Sequence, residues 1–179
     1  MRTKDVVIIG MMSAILITFQ VALSFIPNIE LVSLLIILYT LIFDKKTLYI
    51  IYVFVALEGI IYGFGLWWFN YMYVWTVLYF IVSLFRKLSS PFYWAVISGA
   101  FGLGFGALCS IPYFIFGGIA SGFAYWVAGI PYDIPHCIGN LTLALILFRP
   151  LYYILDKINR QFLYSNRDSA ALETEKIKK

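Results

Sequence analysis

Long apolar runs separated by short polar breaks account for most of the chain. Residues 6–29 carry no charge, and 6–25 read as a first membrane span that Pro27 and Asn28 end. A second, short span runs from about 30 to 43 and stops at Asp44-Lys45-Lys46. The third, 47–65, is interrupted by one acid, Glu58. An aromatic turn from Leu66 to Tyr71 leads to the fourth, 72–85, closed by Arg86-Lys87 and the turn Ser89-Ser90-Pro91. The fifth covers 92–115, and a stretch rich in glycine and aromatics, Phe116 to Tyr132, reads as a loop. The sixth covers 133–155, and the polar segment 156–179 reads as a frayed helix passing into disorder. The expected fold is an all-α integral membrane protein of six transmembrane helices, one domain over 1–157 with a polar tail over 158–179.

Charge adds sidedness. Each of the thirteen Lys and Arg residues lies at the N-terminus (2, 4), after span two (45, 46), after span four (86, 87) or from residue 149 onward. Positive residues favour the cytoplasmic side of a membrane, so both termini are expected there. The stretch 88–132 has no charge, and parity then requires two crossings between Lys87 and the basic tail. Arg149 lies near enough to the cytoplasmic end of span six to reach it with its long side chain. Composition agrees: 63% of the 179 residues are hydrophobic and 12% charged, against about 25% charged in soluble domains. The net charge of +4 therefore reads as topology rather than as nucleic-acid binding. The stretch 6–25 is too long for the apolar part of a signal peptide and lacks a small-residue cleavage site, so it is expected to be retained. Cys109 and Cys137 lie in apolar sequence without metal spacing and read as small buried hydrophobes.

The outward side carries acids and amides but no base. Asn28 and Glu30 flank the first outer turn and Asn70 lies in the second. Glu58 lies about 10 Å inside the outer end of span three. An ionisable group at that depth is costly unless it faces protein or water, which makes it a candidate ligand contact or a helix-to-helix hydrogen bond. Asp133, His136 and Asn140 share one helix face at i, i+3 and i+7. Asp133 at a helix start reads as a cap or a contact, and His136 and Asn140 as ligand hydrogen-bonders or an internal polar lock. Trp67, Trp68, Tyr73, Trp126 and Tyr132 cluster at the same level, as an interfacial belt or as stacking surfaces. With its glycines, the 116–132 loop reads as a lid over a flat ligand. Asp133-x-x-His136, joined by Glu58, is also the minimum of a metal site, though the pattern is weak and no metal is expected.

Two rows of small residues allow close helix contact: Ser98, Gly102, Gly106 and Ser110 in span five, and Gly10, Ala14 and Thr18 in span one. The second row reads either as internal packing or as an outward docking surface. No phosphate loop, zinc-protease motif or Gly-x-Ser-x-Gly occurs, so ATP hydrolysis by this chain is not expected. No inverted repeat of a self-sufficient transporter is evident either.

These features, with the stretches PNIELVSLLIILYTLIF (27–43) and GIPYDIPHCIGNLTLALILFRPL (129–151), resemble the substrate-binding (S) components of energy-coupling factor vitamin transporters over about residues 6–157. The resemblance implies a non-enzymatic capture subunit in a bacterial plasma membrane. Its first helix, at Gly10-x-x-x-Ala14, would dock on a transmembrane coupling subunit, while two partner ATPases use ATP and magnesium and the subunit tilts to release its cargo. It holds no cofactor of its own; the vitamin is cargo. The metal-carrying branch of the family uses an N-terminal histidine, where this chain has Arg2. A base-free, aromatic mouth makes cobalamin the first expected ligand, with pyrimidine precursors, pyridoxine and queuosine precursors as alternatives. Two other functions fit the residues: an intramembrane enzyme using Glu58, Asp133 and His136, or a membrane assembly protein that binds no small molecule.

Overall fold

The computed structural model describes the backbone of residues 3–177 and the side chains of residues 3–162. Six α-helices and no strands occur among the described residues: α1 (Thr3–Leu23), α2 (Val32–Phe43), α3 (Lys46–Tyr62), α4 (Leu66–Leu84), α5 (Pro91–Cys109) and α6 (Ile111–Ile177). α1, α5 and the Ile111–Phe162 part of α6 are long and apolar enough to cross a membrane, three helices against the six spans expected. α2 is apolar but has 12 residues, about 18 Å at the helical rise, against a hydrocarbon core of about 30 Å.

α2 is short because it is the axis of the bundle. Its residues from Val32 to Thr40 are all buried, and it contacts each of the other five helices. A helix apolar on every side belongs in such a position. α1 packs on α3 and α2, with Ser13 Oγ donating to the Ile50 carbonyl at 3.0 Å and the Tyr39 hydroxyl donating to the Met12 carbonyl at 3.4 Å. Ile8, Ile9, Met12 and Leu16 of α1 are buried in this contact. The opposite side of α1 exposes Gly10, Ala14 and Thr18, so that row is left uncovered by the described residues.

α5 and α6 form the closest pair, and the glycines of α5 explain it. A Cβ on Gly102 would stand 2.9 Å from the His136 carbonyl oxygen, and one on Gly99 would stand 3.2 Å from Leu141 Cβ. Only a missing side chain admits backbone that near.

The two ends of the bundle differ in charge. Lys46 pairs with Asp5 at 2.6 Å, Arg86 pairs with Asp44 at 2.9 Å, and Asn159 Nδ2 donates to the Ile42 carbonyl at 3.5 Å. These contacts gather the start of α1, the α2–α3 turn, the end of α4 and the later part of α6 at one end. The helices therefore alternate in direction.

Three expected boundaries differ. The aromatic segment 66–71 belongs to α4, because the turn is confined to Gly63-Phe64-Gly65, where Gly63 takes a left-handed φ of 85°. Span five ends at Cys109. The expected loop 116–132 is helical, broken only at Gly118 (φ 77°, ψ 179°). Tyr113 stacks on Tyr125 with ring centroids 4.0 Å apart, and Phe114 meets Phe123 at 5.3 Å. These pairs are nested on either side of Gly118, so the chain reverses there into a helical hairpin. Gly122 serves that hairpin by leaving room for the Phe114 ring. In apolar surroundings a helix keeps its own backbone hydrogen bonds satisfied, which outweighs the weak helix propensity of glycine. α6 then runs on to Ile177, through much of the polar segment expected to fray.

Candidate functional site

A cavity of about 640 Å³ opens at the end of the bundle opposite the basic cluster. The last turns of α1, α3 and α5 contribute to it, with the α1–α2 connection, the first turns of α4 and residues 125–136 of α6. Among the residues that line it are three acids, Glu30, Glu58 and Asp133, and one histidine, His136, with no Lys or Arg. Its volume lies in the range of sites for drug-sized organic molecules.

Glu30 orders one side. Its Oε2 accepts the backbone N–H of Ser33 at 2.8 Å, covering a free donor in the first turn of α2. Its Oε1 accepts from His136 Nε2 at 3.2 Å. Burial works to raise the Glu30 carboxyl, but the hydrogen bond and charge of His136 and the Ser33 contacts outweigh it. The carboxyl is held below its ordinary value. Ile29 packs where a Cβ on Gly139 would stand, so the α1–α2 connection is latched to α6 at two neighbouring points.

Asp133 lies well inside α6 rather than at a helix start, so it does not cap its own helix. Its Oδ1 accepts instead from the backbone N–H of Gly106 on α5 at 3.0 Å, which the absence of a side chain at Gly106 permits. Its Oδ2 has no hydrogen-bond partner among the described residues, and the residue is 4% exposed. Glu58, 2% exposed, likewise has a bare Oε1.

The aromatic wall is a single row on α4. Trp67, Tyr71 and Trp75 follow one another at i, i+4 and i+8 and all line the cavity. Their rings meet edge to face, at 5.2 Å and 87° for Trp67–Tyr71 and 5.4 Å and 83° for Tyr71–Trp75. Phe105 of α5 joins Trp75 at 5.7 Å and the His136 ring at 5.1 Å. Trp75 Nε1, a donor, is buried without a partner among the described residues.

Of the residues expected at the site, Glu58, Asp133, His136, Trp67 and Tyr132 line the cavity together. The others lie elsewhere. Trp68 turns to α3 and donates its Nε1–H to the Val55 carbonyl at 2.9 Å. Asn70 Oδ1 accepts from the Tyr73 hydroxyl at 3.1 Å, and the same hydroxyl reaches the Leu108 carbonyl at 2.6 Å, so this pair joins α4 to α5. Trp126 stacks on Phe123 within the hairpin. Asn140 donates to Ser33 Oγ at 3.2 Å and to the Ser98 carbonyl at 3.4 Å, making it the internal lock between α2, α5 and α6. No group of three or more His, Cys, Asp or Glu side chains that could hold a metal ion occurs among the described residues.

The lining also includes Glu30, Tyr71, Trp75, Phe105 and Tyr125, which were not singled out as contacts. The period of α4 was the available signal for two of them, since a face holding Trp67 also holds positions 71 and 75. No spacing within the sequence brings Glu30 to His136, 106 residues away. No family model matches the chain, and neither the curated proteins nor the solved structures contain a match to it.

Proposed function

We propose that this chain is a membrane-embedded capture subunit that takes a small organic ligand from the outer side of a bacterial plasma membrane. The observation that carries the reading is the cavity at the base-free end of the bundle, with buried acid and histidine groups set against an aromatic wall. Basic residues stay on the cytoplasmic side, so the end joined by Lys46–Asp5 and Arg86–Asp44 faces inward and the cavity outward. The alternating helix directions support six crossings with both termini inside. α2 crosses although short, because its neighbours enclose it and it does not have to meet lipid along its length.

The resemblance to energy-coupling factor S components extends the reading. The exposed row Gly10, Ala14, Thr18 on α1 is a flat surface suited to close helix contact, and it serves as the docking face for a transmembrane coupling subunit. Two partner ATPases supply the energy from ATP with magnesium, and the capture subunit itself catalyses nothing. The cargo is a vitamin or a vitamin precursor. A cavity of about 640 Å³ favours the smaller expected ligands, such as pyrimidine precursors and pyridoxine, over cobalamin, which exceeds the drug-sized class.

Calorimetric titration of the purified full-length protein with a panel of vitamins and their precursors, cobalamin included, tests this. One member is expected to bind in a 1:1 ratio. A folded protein that binds none of them would remove the reading.

A further inference from the structure

The cavity wall is unbalanced in a way that points to the chemistry of its ligand. Glu58 Oε1 and Asp133 Oδ2 are acceptors on side chains 2% and 4% exposed, both residues line the cavity, and neither oxygen has a partner among the described residues. Buried carboxyl oxygens left without a donor are costly, and a donor on the ligand would relieve that cost. The remaining acid, Glu30, is already engaged by His136 and Ser33. No Lys or Arg lines the cavity to offset the acids. An anionic ligand would meet three carboxyl groups and a single histidine already engaged by Glu30, which is unfavourable.

The aromatic row supplies the second constraint. Trp67, Tyr71 and Trp75 with Phe105 form an aromatic wall that suits a flat ligand, and the faces of such rings attract positive charge. Trp75 Nε1 adds one donor for a ring nitrogen or carbonyl oxygen of the same ligand.

We infer that the cavity selects a flat organic cation bearing N–H donors, such as an aminated nitrogen heterocycle or an aryl amidine, with Glu58 and Asp133 accepting its N–H groups. This rests on the capture reading and narrows it to one ligand class. Carboxylate-bearing ligands are excluded by the same groups, so the acids serve rejection as well as affinity.

Three probes of nearly equal shape isolate the charge: benzamidinium, benzamide and benzoate. Each is titrated against the full-length protein in nanodiscs at neutral pH, with tryptophan fluorescence and saturation-transfer NMR as readouts. Benzamidinium is expected to bind about tenfold or more tighter than benzoate, with benzamide between them. In Glu58→Gln and in Asp133→Asn that preference should shrink several-fold. Equal or tighter binding of benzoate would overturn the inference, as would a preference unchanged in both variants. The probe series on the unaltered chain decides the matter even where a variant fails to fold. If benzamide or benzoate binds best, the ligand class falls and capture stands. If none of the three binds to folded protein, the ligand class falls, and the capture reading is decided by the vitamin panel.

Discussion

Glu30 gains its lowered carboxyl from partners on two other segments, Ser33 at the start of α2 and His136 on α6. The sign of the consequence follows from linkage. A carboxyl lower in the folded than in the unfolded chain contributes stability that is complete above its ordinary value of 4.5 and is lost as pH falls through the folded value. Thermal melts at pH 7 and below pH 4.5 should show a loss of Tm on acidification that is smaller in Glu30→Gln than in the unaltered protein; equal losses would detach Glu30 from the effect. Asn140 makes a different case. Its bonds to Ser33 and the Ser98 carbonyl hold helices together and reach no cavity surface. Asn140→Ala should cost about 1–3 kcal/mol of stability while changing ligand affinity little at temperatures where the variant is folded. A large loss of affinity there, with stability intact, would give Asn140 a binding role. The helical face that Asn140 shares with His136 was legible in the sequence. Which of the two met a cavity was not, because that depends on the neighbours: Ser33 and Ser98 surround one, Glu30 and Phe105 the other.

Among the elements, α5 and α6 depend most on single positions. Gly102→Ala sets a methyl group 2.9 Å from the His136 carbonyl, and backbone can yield only by moving one helix. Destabilisation of about 1–3 kcal/mol is expected, together with weaker ligand binding as His136 shifts away from Glu30. Gly104→Ala on the same helix meets nothing within 4 Å and should be neutral or slightly stabilising, so paired melts separate contact from propensity. α1 presents the converse. Gly10→Trp or Ala14→Trp lies on an exposed face and should leave melting and ligand binding unchanged while abolishing uptake in cells. Binding lost along with uptake would instead tie that face to the folding of the subunit. The positions of the helices were largely readable from apolar runs and charged breaks. The segment 116–132 was not, because its glycines carry two meanings: Gly118 does reverse the chain, whereas Gly122 makes room for Phe114 inside a helix. The aromatic segment 66–71 was misassigned for a related reason, since Trp and Tyr mark interfaces and helix starts equally well.

For the whole molecule, the decisive property is that its two ends differ. On a background in which Cys109 and Cys137 are replaced by alanine, Ala124→Cys beside Trp126 should react with a membrane-impermeant maleimide added to intact cells. Ser89→Cys, in the turn at the basic end, should react only after permeabilisation. The reverse pattern would invert the proposed orientation and close the cavity to external ligands. The bare oxygens of Glu58 and Asp133 also bear on timing. If the subunit topples to deliver its load, it must carry those oxygens toward hydrocarbon. Alone they make that journey expensive; bound to a cation that donates to both, they travel with their hydrogen bonds made and with less net charge. On the proposed reading the passenger would then act as its own ticket, and electrostatics would suppress futile rocking without it.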